Sequence, residues 1–237
     1  MLACNTGPMG SRQVLRWELD GVDGAVVVID VIRAFSTAAY AFGAGASAIY
    51  LVASVEEALQ FKADHPEALA MGEDRGHRPE GFDFPNSPVA VSQADLTGRT
   101  MVQRTSAGTQ GVVGAVDATR LWAASLVCAS ATARAVQASN LGDPSYVITG
   151  CHPDRPDDSG GDDRLTADFI ERARTGRPLD AADTSRRLLD TSEARRTLLL
   201  PAEHCNPLDI EYASRVDRFN FAMEVTIDDI GRRLQAR

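Results

Sequence analysis

The sequence predicts an α/β fold: three layers, α/β/α, around a mixed and largely parallel sheet. Two observations lead there. Short apolar runs rich in β-branched residues alternate with helix-like stretches of Ala, Leu and Glu. The run Ala25-Val26-Val27-Val28-Ile29 is apolar at every position, a pattern that needs burial on both faces, as at the centre of a sheet. The 237 residues suffice for one large packed unit, so a single domain over 1–237 is expected. Two similar α/β halves, about 1–100 and 101–237, are the alternative partition. No repeat of fixed period appears, which excludes a solenoid.

The elements follow in order. A strand is expected over 25–31, a helix over 35–45 ending in glycines, a strand over 49–52, and a helix over 55–63 capped by Ser54. Residues 72–90 break this rhythm with Gly72, Gly76, Pro79, Gly81, Pro85 and Pro88, and read as one long loop of the kind that carries function. Strands then fall at 100–103, 120–123 and 146–149, alternating with helices at 106–116, 129–139 and 164–175. After Gly176 the chain is Arg-rich and helical to about Arg196, and 221–227 returns as an edge strand.

Charge narrows the chemistry. The net charge of −9 argues against nucleic acid or an anionic membrane as partner, because phosphate backbones need a basic footprint. No apolar run approaches the roughly 18 to 20 residues that span a bilayer. Lys62 is the single lysine, so almost every cation is an arginine; there is no phosphate-binding G-x-x-x-x-G-K loop. Asp outnumbers Glu by 22 to 11, a supply of hard oxygen ligands. Cys4, Cys128, Cys151 and Cys205 lack metal-site spacing and read as reduced thiols of a cytoplasmic protein.

Four segments stand out. Asp30 ends the most buried strand, with Arg33, Ser36 and Thr37 behind it: a carboxylate for a metal and a guanidinium for phosphate, or else a structural ion pair with a helix cap. The loop from Gly72-Glu73-Asp74-Arg75-Gly76 to Asn86-Ser87-Pro88 is the second. The turn Arg104-Thr105-Ser106-Ala107-Gly108-Thr109 is the third, able to present hydroxyl and N–H donors to an oxyanion or simply to cap a helix. The fourth is the acidic stretch 154–163 around Ser159-Gly160-Gly161.

Taken together, these segments resemble the 2-phosphosulfolactate phosphatase family over nearly the whole chain. The family's Asp-Val-Leu-Arg-Ala motif appears as Asp30-Val31-Ile32-Arg33-Ala34. Its Gly-Glu-Arg-Gly-Gly loop and Gly-Phe-Asp-x-Gly-Asn-Ser-Pro segment match from Gly72-Glu73 to Gly81-Phe82-Asp83 and Asn86-Ser87-Pro88. Its Glu-Asp-x-x-x-Ala-Gly helix start corresponds to Asp162-Asp163-Arg164-Leu165-Thr166-Ala167-Asp168, and its closing Asp-Val-x-x-Cys to Asp209-Ile210-Glu211-Tyr212-Ala213. The departures are Asp74 where an arginine is expected, with Arg75 one place late, Pro85 for a glycine, Arg104-Thr105-Ser106-Ala107-Gly108-Thr109 where the family has Thr-Thr-Asn-Gly-Thr, Cys128 or a neighbour for an asparagine, Asp162 for a glutamate and Asp168 for a glycine. These put the substrate's identity at issue.

The resemblance implies a Mg²⁺-dependent phosphatase that converts (2R)-O-phospho-3-sulfolactate to 3-sulfolactate and phosphate, as in coenzyme M biosynthesis. Asp30, Glu73 and Asp163 are then the expected Mg²⁺ ligands, with Asp83 in reserve. Arg33 is expected to stabilise charge on the phosphoryl oxygens, and Asn86, Ser87, Arg104, Thr105, Ser106 and Thr109 to bind substrate. Attack by water at the metal is favoured over an aspartyl-phosphate on Asp30. His152 or His77 could act as general acid, whereas His65 and His204 read as surface positions. The alternatives are a phosphatase of another small phosphorylated acid and a non-catalytic small-anion binding module. A homodimer is compatible with all of these.

Overall fold

The computed structural model describes residues 11–152 and 155–237. The chain enters through β1 (Arg12–Leu15) and continues into β2 (Ala25–Ile29), which is buried at all its positions. Alternate β2 residues serve opposite layers, as the two-residue strand period requires. Val26 and Val28 pack with α1 (Ala34–Gly43), while Val27 and Ile29 pack into the layer that later holds α5 (Ala129–Ala138) and α6 (Gly161–Arg174). Helices thus cover both faces of the sheet.

Between α1 and α5 come β3 (Ala48–Leu51), α2 (Val55–Asp64), β4 (Leu69–Gly72), β5 (Phe84–Pro85), α3 (Pro88–Ser92), β6 (Thr100–Arg104), α4 (Gly108–Gly114) and β7 (Arg120–Ala124). Ser54 caps α2 as expected, its hydroxyl accepting from Glu57 N at 3.1 Å. β8 (Ser145–Ile148) follows α5, and β9 (Cys151–His152) and β10 (Arg155–Ser159) form a small hairpin before α6. α7 (Ala181–Leu189), α8 (Ser192–Thr197) and α9 (Asp209–Ala213) lead to β11 (Met223–Ile227) and β12 (Arg232–Ala236). No helix among the described residues is long and apolar enough to cross a membrane.

Among the described residues, ten strands form one sheet in the order β1-β8-β2-β7-β11-β12-β3-β6-β4-β5. It holds two parallel blocks, β1-β8-β2-β7 and β3-β6-β4-β5, joined by the antiparallel pair β11–β12. Three antiparallel steps separate the blocks, so their strands run in opposite senses. The blocks do not divide at residue 100, since β6 lies between β3 and β4. The segment expected as an edge strand is β11, which sits inside the sheet, between β7 and β12. β12 carries Arg232, Arg233 and Gln235 around a single fully buried side chain, Leu234, and therefore gave no apolar signal. β5 escaped for the same kind of reason: two residues, one of them proline, at the sheet edge.

Candidate active site

The carboxyl ends of β2 and β8 are stitched to the start of α6. Asp163 Oδ1 accepts from Val31 N at 3.0 Å, and its Oδ2 accepts from Thr149 N at 2.9 Å and Gly150 N at 2.8 Å. Beside it Asp162 Oδ2 accepts from Ile32 N at 3.2 Å, leaving Oδ1 buried with no hydrogen-bond partner. Asp30 accepts from Ala34 N at 3.0 Å, which closes the first turn of α1. Gly108 allows this close approach, because a Cβ there would lie 2.8 Å from Asp30 Oδ2.

The other block contributes Glu73, just beyond β4. Its Oε1 accepts from Ser106 N at 2.5 Å, and Oε2 accepts from Gly76 N at 2.6 Å and Ser106 Oγ at 3.0 Å. Glu73 thereby clamps the 72–76 loop onto the turn after β6. Gly72 precedes it at φ 139°, where a Cβ would stand 1.9 Å from Arg104 O. Only glycine serves both demands. Two of the sequence departures meet: Arg104 Nη1 pairs with Asp74 Oδ1 at 2.8 Å and also donates to Glu73 O.

Between these parts lies a cavity of about 280 Å³. Asp30, Arg33, Glu73, Asn86, Ser106 and Asp163 all line it, so the structure brings six expected site residues together. The sheet must curl for this, since the blocks run in opposite senses yet their carboxyl ends share one cavity. Four expected substrate-binding residues do not line it. Arg104 is held by Asp74; Thr105 and Thr109 bond one another, Thr109 N donating to Thr105 Oγ1 at 3.0 Å; Ser87 caps α3 and donates to Asp209 Oδ1 at 2.6 Å. Asp83, the reserve ligand, accepts instead from Lys62 and Ala70 N. Arg33 pairs with Asp209, not Asp30, at 3.0 Å.

Other lining residues went unassigned in the sequence. Asp162 was visible within a motif, but nothing marked its oxygen as open. Arg16 and Arg75 lie in or near loops, and Glu193 and Arg196 come from α8, where the Arg-rich pattern read only as a helix. Glu193 Oε1 accepts from Gly160 N and Gly161 N, so α8 is docked at the start of α6. His77 and His204 meet edge to face with ring centroids 4.6 Å apart, and neither lines the cavity. His204 is not a surface residue in its contacts: its Nδ1 accepts from Arg78 N and its carbonyl from Arg33. The side chains of His152 and Asp157, and the whole of Asp154, lie outside the described part of the molecule.

Burial governs the electrostatics. Desolvation, aided by the negative charge of Glu73, raises Asp30 to about 6 against the pull of the Ala34 N–H. Burial and then Asp30's charge raise Asp163 to about 8 despite its three backbone donors. Asp162 is held well above the ordinary range by burial, then by Asp163, Glu193 and Asp30. Among the described residues no three acidic, imidazole or thiol groups already converge as a cation cage. The donor chemistry nonetheless fits a hard divalent cation: the carboxylates are all oxygen donors, they repel one another, and Asp162 Oδ1 is buried without a partner.

An acidic, arginine-bearing cavity beyond the carboxyl ends of parallel strands is the ligand site of an α/β protein. Comparison with known proteins gives the family. The family model described as 2-phosphosulpholactate phosphatase matches residues 16–227. A Bacillus subtilis protein named "Probable 2-phosphosulfolactate phosphatase" is 32% identical over 203 residues, covering 85% of this chain and 87% of the relative. A protein of the same name from Thermoplasma acidophilum is 28% identical over 198 residues, 84% of each chain. One from Carboxydothermus hydrogenoformans is 42% identical over 119 residues, 50% of this chain and 49% of its own. The chain belongs to the 2-phosphosulfolactate phosphatase family, and is a phosphoric monoester hydrolase.

Proposed function

We propose that the protein hydrolyses the phosphomonoester of (2R)-O-phospho-3-sulfolactate to 3-sulfolactate and phosphate, in a reaction that requires Mg²⁺. One observation carries the reading: Asp30, Arg33, Glu73, Asn86 and Asp163, scattered over three motifs, meet in one cavity. Asp30, Glu73 and Asp163, with the open oxygen of Asp162, would hold the cation, whose charge would offset that of the carboxylates and of the phosphoryl oxygens.

The chain's own groups divide the remaining work. Among the described residues both hydrogen bonds of the Arg33 guanidinium leave from Nη1, so Nε and Nη2 are available to phosphoryl oxygens. Asn86 carries a buried amide oxygen without a partner in the cavity wall, an acceptor suited to a cation or to a hydrogen-bond donor rather than to the anion's own oxygens. Asp30, which burial raises to about 6 without a cation, would be kept ionised by the cation it helps to hold. Asp163 and Glu73 hold the surrounding backbone in register through the N–H groups they accept from. The test is phosphate release from phosphosulfolactate after EDTA treatment and on return of Mg²⁺. Release that chelation abolishes and Mg²⁺ restores is expected. Activity indifferent to chelation refutes the metal, and no release from any phosphorylated acid refutes the phosphatase in favour of an anion-binding module.

A further inference from the structure

We infer that Asp209 is a positioning residue for this site: it orients the Arg33 guanidinium toward the cavity and ties that orientation to the Asn86–Ser87 segment. The inference rests on the phosphatase reading above, in which Arg33 grips the phosphoryl group. Asp209 is fully buried at the start of α9, 176 residues from Arg33 in sequence. Its two oxygens divide their partners. Oδ2 accepts from Arg33 Nη1 at 3.0 Å and Asn206 N at 2.9 Å, while Oδ1 accepts from Ser87 Oγ at 2.6 Å and Val89 N at 3.2 Å.

The geometry separates two jobs on one guanidinium. Nη1 is occupied by Asp209 and by His204 O at 2.8 Å, both outside the cavity lining, and the rest of the fork is left for a ligand. A bidentate grip by Asp209 would consume two donors; a single-nitrogen grip fixes the plane and leaves an open edge. The same carboxylate holds Ser87 Oγ and Val89 N, and Asn86 sits in the cavity wall next to Ser87. One buried group therefore sets the spacing between Arg33 and Asn86. No neutral isostere can replace it: an Asn in either orientation turns its NH₂ toward one pair of donors.

A double-mutant cycle tests this, with kcat and KM measured per folded molecule on phosphosulfolactate with Mg²⁺. Arg33→Met is expected to lower kcat/KM by about 10²-fold or more. Asp209→Asn is expected to lower kcat by roughly 10- to 10²-fold, the scale of an angstrom's misplacement at a reacting centre. The decisive result is the pair: Arg33→Met/Asp209→Asn should be no worse than Arg33→Met within about twofold, because Asp209 acts through Arg33. Losses that multiply in an active enzyme overturn the positioning role and leave the phosphatase standing. A wild-type chain inactive on every phosphorylated acid overturns both. Should Asp209→Asn not fold, Ser87→Ala replaces it in the cycle, since it removes the shortest bond to the carboxylate without touching the guanidinium. It must then lower kcat in the wild-type background and not beside Arg33→Met; equal losses in both backgrounds defeat the inference.

Discussion

Asp30→Asn should change how stability depends on pH, and the structure sets the size. Burial raises the Asp30 carboxyl from 3.8 to about 6. Without a cation, the unfolded chain therefore loses this proton from about pH 3.8 upward while the folded chain keeps it to about 6. Over that window the folded state binds more protons, so stability falls as pH rises, and above about 6 the loss is complete. A shift of about 2.2 units at 1.36 kcal/mol each is roughly 3 kcal/mol. Asn has no such penalty but sets an amide against one backbone donor, a cost that is independent of pH. The difference in unfolding free energy, variant minus wild type, should then grow by about 2.4 kcal/mol between pH 4, where the unfolded carboxyl is already half ionised, and pH 8, or about 5–10 °C in melting temperature for a chain of this size. Asp163 adds in the same direction, since loss of the Asp30 charge lets it ionise earlier. Urea unfolding at several pH values in EDTA gives the number. A difference that is flat with pH, or that shrinks as pH rises, refutes the claim that Asp30 is a destabilising buried acid.

Three further outcomes are expected. Arg33→Lys keeps the charge and the Asp209 pairing but loses the planar fork, so kcat/KM should drop by roughly 10²-fold; wild-type kinetics would remove Arg33 from the phosphoryl group. Glu73→Gln turns an amide NH₂ toward Ser106 N or Gly76 N and should cost about 1–3 kcal/mol in denaturant unfolding. Unchanged stability there would show that the 72–76 loop does not depend on this clamp. Gly72→Ala drives a methyl into Arg104 O at a positive φ, and should leave little folded protein at 37 °C by circular dichroism; a wild-type melting curve would contradict the close approach.

Much of the fold was legible because its signals are local. The apolar run of β2, the Ser54 cap and the alternation of strand and helix patterns each depend on a few neighbouring residues. What was not legible depends on partners far along the chain. β12 is half polar because it is a narrow insert between β11 and β3, and β11 reads as an edge strand until β12 is known to cover it. In the site, the six motif residues that line the cavity were visible as residue types, but Ser87 and Thr109 carry the same hydroxyls and point elsewhere. Hydroxyl chemistry near a helix start fits a cap as well as a ligand, and only the third dimension separates the two.

The acidic residues make the same point more sharply, for the chain uses carboxylates in two physical states. Glu73 and Asp209 each accept three or more hydrogen bonds and bind distant loops into one frame. Asp162 has a buried oxygen with no partner, and Asp30 and Asp163 are pressed toward neutrality by burial first and then by neighbouring carboxylates. A buried charge left short of partners weakens the fold, whereas a saturated one supports it. Their proximity therefore has a direction: the frame groups hold the strained groups at a spacing that those groups, by mutual repulsion, would otherwise widen. A cation in the cavity would relieve these raised aspartates most and the saturated groups least. Its stabilising effect in unfolding experiments should accordingly vanish more completely in Asp162→Asn than the loss of one ligand among equals would produce, and an equal reduction from Asp162→Asn and Glu73→Gln, compared at matched folded fractions, would show that the two carboxylates are not divided in this way.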